Sequence, residues 1–143
     1  INSLGVKMNS INSLVIEGNL VRDAIIKETQ NGNCVSNFSI AVNRSIKTHN
    51  GEVHKEVSFF DAEAWGDLAK IIAKKGLRGT RVRMVGRIKQ NRWTGSDGKN
   101  YSRINIITDH IEFVKKPKDE SDEQVINEHL AKEIEDKEEV IAF

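Results

Sequence analysis

Between residues 81 and 93, basic side chains recur at every second position. Arg81, Arg83, Arg87 and Lys89 are odd-numbered, interrupted by Val85, and the same parity reaches Trp93. Val82, Met84, Gly86 and Ile88 fill the even positions. Side chains two apart share one face of a strand. This run therefore sets a basic row ending in an indole against an apolar face. A second run follows the same logic: Phe60, Ala62 and Ala64 have one parity, and Phe59, Asp61, Glu63 and Trp65 have the other. Carboxylates are costly to bury unpaired, so that second face is expected to be wet, with Phe59 and Trp65 as exposed rings. Rings beside cations suit the unstacked bases of a single nucleic-acid strand. Every base offers a π-face worth ~1–3 kcal/mol on an aromatic side chain, and Arg and Lys release counterions from phosphates.

Other chemistry is poorly supplied. His49, His54, His110 and His129 lack metal-ligand spacing, and no nucleophile elbow, phosphate-binding loop or zinc-deaminase signature occurs. The sequence implies no cofactor and no enzyme. Asp61 and Glu63 share a strand face and offer one alternative, a divalent-ion site for strand cleavage. Duplex reading calls for a helix or ribbon bearing base-edge donors. The helical stretch of the body instead exposes Asp67, Lys70, Lys74 and Lys75. A further alternative is a protein-interaction module that uses the same aromatics without DNA.

The elements that must position these residues are mostly strands. Leu14, Ile16, Gly18 and Leu20 alternate with Val15, Glu17 and Asn19, and Phe38, Ile40 and Val42 with Asn37, Ser39 and Asn43. Asn31-Gly32-Asn33 and Thr48-His49-Asn50-Gly51 read as turns. A third strand covers about residues 55–65. Leu68, Ile71 and Ile72 then fall at helical spacing, from Asp67 to a stop at Lys74-Lys75-Gly76. Strands over about 80–94 and 100–114 flank the turn Gly95-Ser96-Asp97-Gly98. The order β-β-β-α-β-β is the plan of the OB-fold, an all-β, five-stranded, partly open barrel with one helix. Another small five-stranded barrel or sandwich is the competing architecture.

The chain has 143 residues, enough for one domain with a sizeable core. Its formal charge of +1 conceals a division. Residues 1–116 hold 19 Lys+Arg against 11 Asp+Glu, a net +8, whereas residues 117–143 hold 3 Lys against 10 Asp+Glu, a net −7. The sole proline, Pro117, stands at the switch. The expected division is an extension over residues 1–8, a folded domain over 9–116, and an acidic linker and tail over 117–143. In the extension, the Ile-Asn-Ser-Leu of residues 1–4 recurs at 11–14. No run approaches the ~18 apolar residues of a membrane helix, so no membrane partner is expected. The N-terminus lacks a secretory apolar core, and a lone Cys34 fits a reduced, cytoplasmic setting. Ile126, Leu130 and Ile134 recur every four residues. Isolated helices of about 12–15 residues are marginal in water, so disorder is the expectation there. The acidic tail is expected to fold back on the basic body and compete with nucleic acid.

Five stretches carry a family resemblance in order and at consistent spacing: Leu14-Val15-Ile16-Glu17-Gly18-Asn19-Leu20, Asn37-Phe38-Ser39-Ile40-Ala41-Val42, Trp65-Gly66-Asp67-Leu68-Ala69, Val85-Gly86-Arg87 and Arg92-Trp93-Thr94. Through them the chain resembles the bacterial single-stranded DNA-binding proteins. The resemblance implies an OB-fold that forms a homotetramer, wraps single-stranded DNA and serves replication, recombination and repair in the cytoplasm, at the nucleoid. It implies base stacking on Phe59, Trp65 and Trp93, while the family's fourth aromatic position falls on Ile46. It carries phosphate contacts to Arg78 and Arg92, which join Arg81, Arg83, Arg87 and Lys89 from the basic row. Two other basic positions of the family fall on His49 and Asp67 and are not carried over. The ending Glu138-Glu139-Val140-Ile141-Ala142-Phe143 is similar to the acidic, Phe-terminated tail by which the family recruits other proteins, with Ala142 where proline is usual. A Phe ring plus an α-carboxylate can enter a pocket edged by Lys or Arg while the acids steer encounter. Glu138, Glu139, Ile141, Ala142 and Phe143 are thus the expected partner-binding residues.

Overall fold

The structure is a computed structural model and describes residues 8–114, 126, 127 and 129–131. The elements are β1 (Leu14–Leu20), β2 (Ile25–Glu28), β3 (Cys34–Lys47), β4 (Val53–Trp65), α1 (Asp67–Lys75), β5 (Arg81–Thr94) and β6 (Asn100–Val114). The strands form one sheet in the order β1-β5-β6-β4-β3-β2, and a β1–β3 pairing closes it. The five-stranded OB barrel with its helix between the third and fourth barrel strands is therefore as expected. The four-residue β2 is an addition. It pairs antiparallel with β3 from Ile25↔Asn37 to Glu28↔Cys34, and its side chains are all exposed, so it leaves no alternation of apolar residues to read.

Alternating apolar residues fill the barrel. Leu20, Phe38, Ile40, Ala62, Ala64, Val82, Met84 and Ile106 form one buried cluster with Ile72 of α1. Closure needs β1 and β3 to approach closely. A Cβ on Gly18 would lie 2.5 Å from the Ala41 carbonyl oxygen, so a side chain here would push the two strands apart. Gly66, at φ 68°, lets the chain leave β4 and enter α1 at once. The helix buries Ala69 and Ile72, while Ile71, expected on the apolar face, is exposed. The short α1 packs mainly on β2, β3 and β4 at one end of the barrel, so a narrower stripe suffices.

At the other end two hairpin arms project. β4 and β6 run parallel, and each begins at the tip of its own hairpin, at residues 48–52 and 95–98. Their ladder is limited to Ala62↔Ile106 and Glu63↔Ile107, so the arms are not joined along their length. Phe60 and Ile88 have the core-facing parity, yet both are exposed. They stand where the arms leave the barrel, and among the described residues no second layer covers the sheet there.

Candidate nucleic-acid interface

β4 supplies two of the expected rings. Phe59 and Trp65 lie on one face, six residues apart, or about 20 Å along an extended strand. Trp65 ends the strand beside α1 and is 45% exposed. Its indole Nε1 donates to Glu63 Oε2 at 3.0 Å, which fixes the ring's orientation. Phe59 is half-buried, at the centre of the outer wall. Cross-strand pairing places Arg81, Asn19, Ala41 and Phe59 in one row around that wall. The third ring, Trp93, is 43% exposed near the tip of the β5–β6 arm. It lies against Tyr101 with centroids 5.9 Å apart. The two rings, with Arg92, Thr94 and Asn100, line an open groove of about 370 Å³. The aromatics therefore do not converge on one pocket. They extend from the helix end of the barrel to an arm at the opposite end.

The expectation of a uniformly wet face on β4 needs correction. Glu63 is only 8% exposed. Asp61 accepts from the Ser39 hydroxyl and from Arg103 Nη2, the latter at 2.8 Å, and Arg22 Nη2 donates to Ser39 Oγ at 3.2 Å. Both carboxylates are hydrogen-bonded to neighbouring donors, which removes the burial cost that argued for open solvent. The same bonds weaken the divalent-ion alternative, because an arginine already holds Asp61. Among the described residues no group of three or more His, Cys, Asp or Glu could hold a metal ion. Residues 126, 127 and 129–131 also cover part of this face. Two of them are nearly or partly buried, Ile126 and Leu130, against Val21, Ala41, Val57 and Phe59. They are helical, contrary to the expected disorder, because the barrel supplies the apolar surface that an isolated helix lacks.

The basic residues fall into distinct settings. Arg81 Nε donates to Glu17 Oε1 at 2.6 Å and Arg83 Nε to Glu17 Oε2 at 3.2 Å. Arg83 also lies 3.7 Å from Glu112. The Arg81 guanidinium, with that of Arg83, holds the Glu17 carboxyl below its ordinary value. Arg87 and Lys89 are exposed and form no ion pair among the described residues. Arg92 borders the Trp93 groove. Arg78 occupies the connection between α1 and β5, where its backbone N–H donates to Asp23 Oδ1 at 2.8 Å. Its guanidinium donates to the Asn127 side-chain oxygen.

Three polar or aromatic participants were not singled out from sequence. Arg22 and Arg103 belong to the Asp61 network, and Tyr101 extends the Trp93 surface. Their neighbours lie on other strands, so no local pattern marks them, although Tyr101 stands directly across the β5–β6 hairpin from Trp93. Asp97 in the turn accepts from the Tyr101 hydroxyl and the Lys99 N–H. The first bond is the main cause that lowers the Asp97 carboxyl and raises the Tyr101 phenol from their ordinary values. The tip is thereby braced beneath its two rings. Glu138, Glu139, Ile141, Ala142 and Phe143 lie outside the described residues, as does Ile134.

Known proteins are similar to this chain in sequence and fold. The model of the single-strand binding protein family matches residues 11–114. A single-stranded DNA-binding protein of Aquifex aeolicus is 34% identical over 108 residues, 76% of this chain and 73% of that protein. One of Treponema pallidum is 33% identical over 107 residues, 75% of this chain and 60% of that protein. Among solved structures, a Plasmodium falciparum SSB in complex with ssDNA superposes with a TM-score of 0.70 at 20% identity, covering 77% of this chain and 100% of that one. That likeness bears on the fold. The family match extends from just before β1 to the end of β6, the whole barrel with both arms, and the chain belongs to the single-strand binding protein family.

Proposed function

We propose that the chain binds single-stranded DNA without reading its sequence and takes part in replication, recombination and repair as a binding protein rather than an enzyme. Bases stack on Phe59, Trp65 and Trp93, and phosphates meet Arg78, Arg87, Lys89 and Arg92. Arg81 and Arg83 contribute less, because Glu17 already compensates their charge. The observation that carries this reading is the spread of half-exposed rings along β4 and onto the β5–β6 arm, with the exposed Arg87 and Lys89 on that same arm. A compact ligand needs convergent groups. An extended polymer can meet separated platforms in turn, and stacking tolerates any base.

The proposal includes a homotetramer. Phe60, Ile88 and Val15 are large apolar side chains exposed on the barrel and its open end, surfaces that association would bury. It also gives Glu138, Glu139, Ile141, Ala142 and Phe143 the recruitment of other genome-maintenance proteins. Residues 9–116 are the DNA-binding domain, 1–8 an extension and 117–143 the linker and tail, in a cytoplasmic, nucleoid-associated protein. Among the described residues no helix is long and apolar enough to cross a membrane.

Titration with oligo(dT) tests the function. Binding is expected to quench Trp fluorescence strongly, and affinity is expected to fall as salt rises. Absence of quenching at low salt overturns the proposal in favour of a protein-interaction module. The mass of the complex with oligo(dT) of defined length tests the tetramer.

A further inference from the structure

The two arms share little backbone. β4 and β6 pair at Ala62↔Ile106 and Glu63↔Ile107 and at no further position. Immediately beyond that ladder, on the arm side, Asp61 Oδ2 accepts from Arg103 Nη2 at 2.8 Å. The carboxylate is itself held. Its Oδ1 accepts from the hydroxyl of Ser39, a buried residue directly opposite on β3. Ser39 Oγ in turn accepts from Arg22 Nη2. With both oxygens engaged, the Asp61 carboxylate is fixed where it receives Arg103. The pair also joins two ring-bearing faces. Asp61 shares its face of β4 with Phe59, and Arg103 shares its face of β6 with Tyr101, which stands across the hairpin from Trp93. Phe59 and Arg103 each lie three residues from the Ala62↔Ile106 rung. The bridge therefore crosses the gap where the arms begin to part.

We propose that Asp61 and Arg103 are positioning residues whose ion pair sets the opening between the β3–β4 and β5–β6 arms, and with it the distance between the Phe59 and Trp93 platforms. A ladder of two residues can act as a hinge. Without a further tie the arms sample a range of openings, and a strand that bridges both platforms must restrict that range as it binds. Fixing the opening in the free protein removes that ordering cost. Carboxylates hold two other rings of this surface. Glu63 accepts from Trp65, and Asp97 accepts from Tyr101 beside Trp93. Asp61 extends the same device from a ring to an arm. Its negative charge thereby has a use on a wall where charge alone would oppose phosphates. The pair differs from Glu17 with Arg81 and Arg83, which join strands whose spacing a continuous backbone ladder already fixes. With side chains 33% and 62% exposed, Asp61 and Arg103 are screened by water, so the effect on affinity is a small factor.

This inference rests on the DNA-binding reading, and the full-length chain separates the two. Asp61→Asn keeps an acceptor for Ser39 and removes the charge that holds Arg103. Anisotropy of a labelled oligo(dT) is expected to show about two- to fivefold weaker binding, although the change deletes a negative charge. Arg103→Gln is expected to lose a similar factor with no change in the slope of log K against log salt. The double variant is expected to bind no more weakly than Arg103→Gln alone. Equal or tighter binding by Asp61→Asn overturns the proposal, as do losses that add in the double variant. A slope reduced by about 0.7 in Arg103→Gln also overturns it, because that marks a direct phosphate contact. The arms themselves are read without DNA. Spin labels on Asn50→Cys and Ser96→Cys, in the two hairpin turns of a Cys34→Ser background, are diluted with unlabelled copies. They are expected to give a narrow distance distribution that broadens in Asp61→Asn. An unchanged distribution overturns the brace whether or not the chain binds DNA. Broadening in a chain whose wild type shows no oligo(dT) binding overturns the proposed function and leaves the brace standing.

Discussion

The two halves of β5 start from the same sequence logic and end in different chemistry. In the barrel half, Arg81 and Arg83 face Glu17 of β1, and Arg83 also faces Glu112 of β6. In the arm half, Arg87 and Lys89 project from a two-stranded ribbon and make no ion pair among the described residues. The difference teaches that alternation places a cation on a face but does not make it available. Strands on both sides supply carboxylates in the barrel. On the arm, β5 pairs with β6, and on its other edge Asn12 bonds the Ile88 backbone without supplying a charge. A cation already paired gains less from a phosphate than one that is merely hydrated, because the new contact must replace the old one.

The largest effect that sharpens this contrast is expected from the interior of the barrel half. Met84, the residue after Arg83, is fully buried. Met84→Ala is expected to cost about 2–5 kcal/mol of stability. Urea unfolding measures it, and DNA affinity of the folded protein should be nearly unchanged. On the arm, Trp93→Ala is expected to do the reverse. It should remove about 1–3 kcal/mol of oligo(dT) affinity if the ring stacks on a base, with little change in thermal midpoint. An affinity equal to wild type would reduce Trp93 to a brace for Tyr101.

Salt titrations probe the cations themselves. Arg87→Gln and Lys89→Gln are each expected to reduce the slope of log K against log salt by about 0.7, the value for one phosphate on a single strand. Arg83→Gln is expected to leave the slope almost unchanged. Equal reductions would break the distinction between the two halves. The smallest effect concerns acid. Arg81 and Arg83 hold the Glu17 carboxyl below its ordinary 4.5. A depressed carboxylate contributes stability above its unfolded value and loses it as pH falls through the folded value. The gap in thermal midpoint between wild type and Glu17→Gln is thus expected to close as pH falls below about 4.5. A gap that does not change with pH would mean that the pairs contribute nothing to folding.

Much of the barrel was legible in the residues. Phe38, Ile40, Val82 and Met84 announced inward faces by alternation, and Asp67 with Lys74-Lys75-Gly76 bounded the helix. The rings Phe59, Trp65 and Trp93 came from the same parity. The errors lie where alternation meets an incomplete neighbourhood. Phe60 and Ile88 have inward parity but sit at the open end, and Ile71 faces solvent because α1 touches the barrel along a narrow stripe. Glu63 erred the other way. Its burial became affordable through Trp65 Nε1, a bond between two residues that had both been assigned to solvent. β2 was missed because its sequence carries no buried face.

The sequence by itself determined the strand periods, the helix, the separation of charge between body and tail, and the family-like order of motifs. These are properties of neighbours along the chain, and backbone geometry converts them directly into faces. Tertiary structure decided which of those faces remain available. Arg81 meets Glu17 across 64 residues of chain, and Phe59 is covered by His129 rather than by solvent. Such pairings depend on how strands close around the barrel and where the chain returns after β6. No local periodicity contains that information, because the partners share a surface only once the whole barrel has formed.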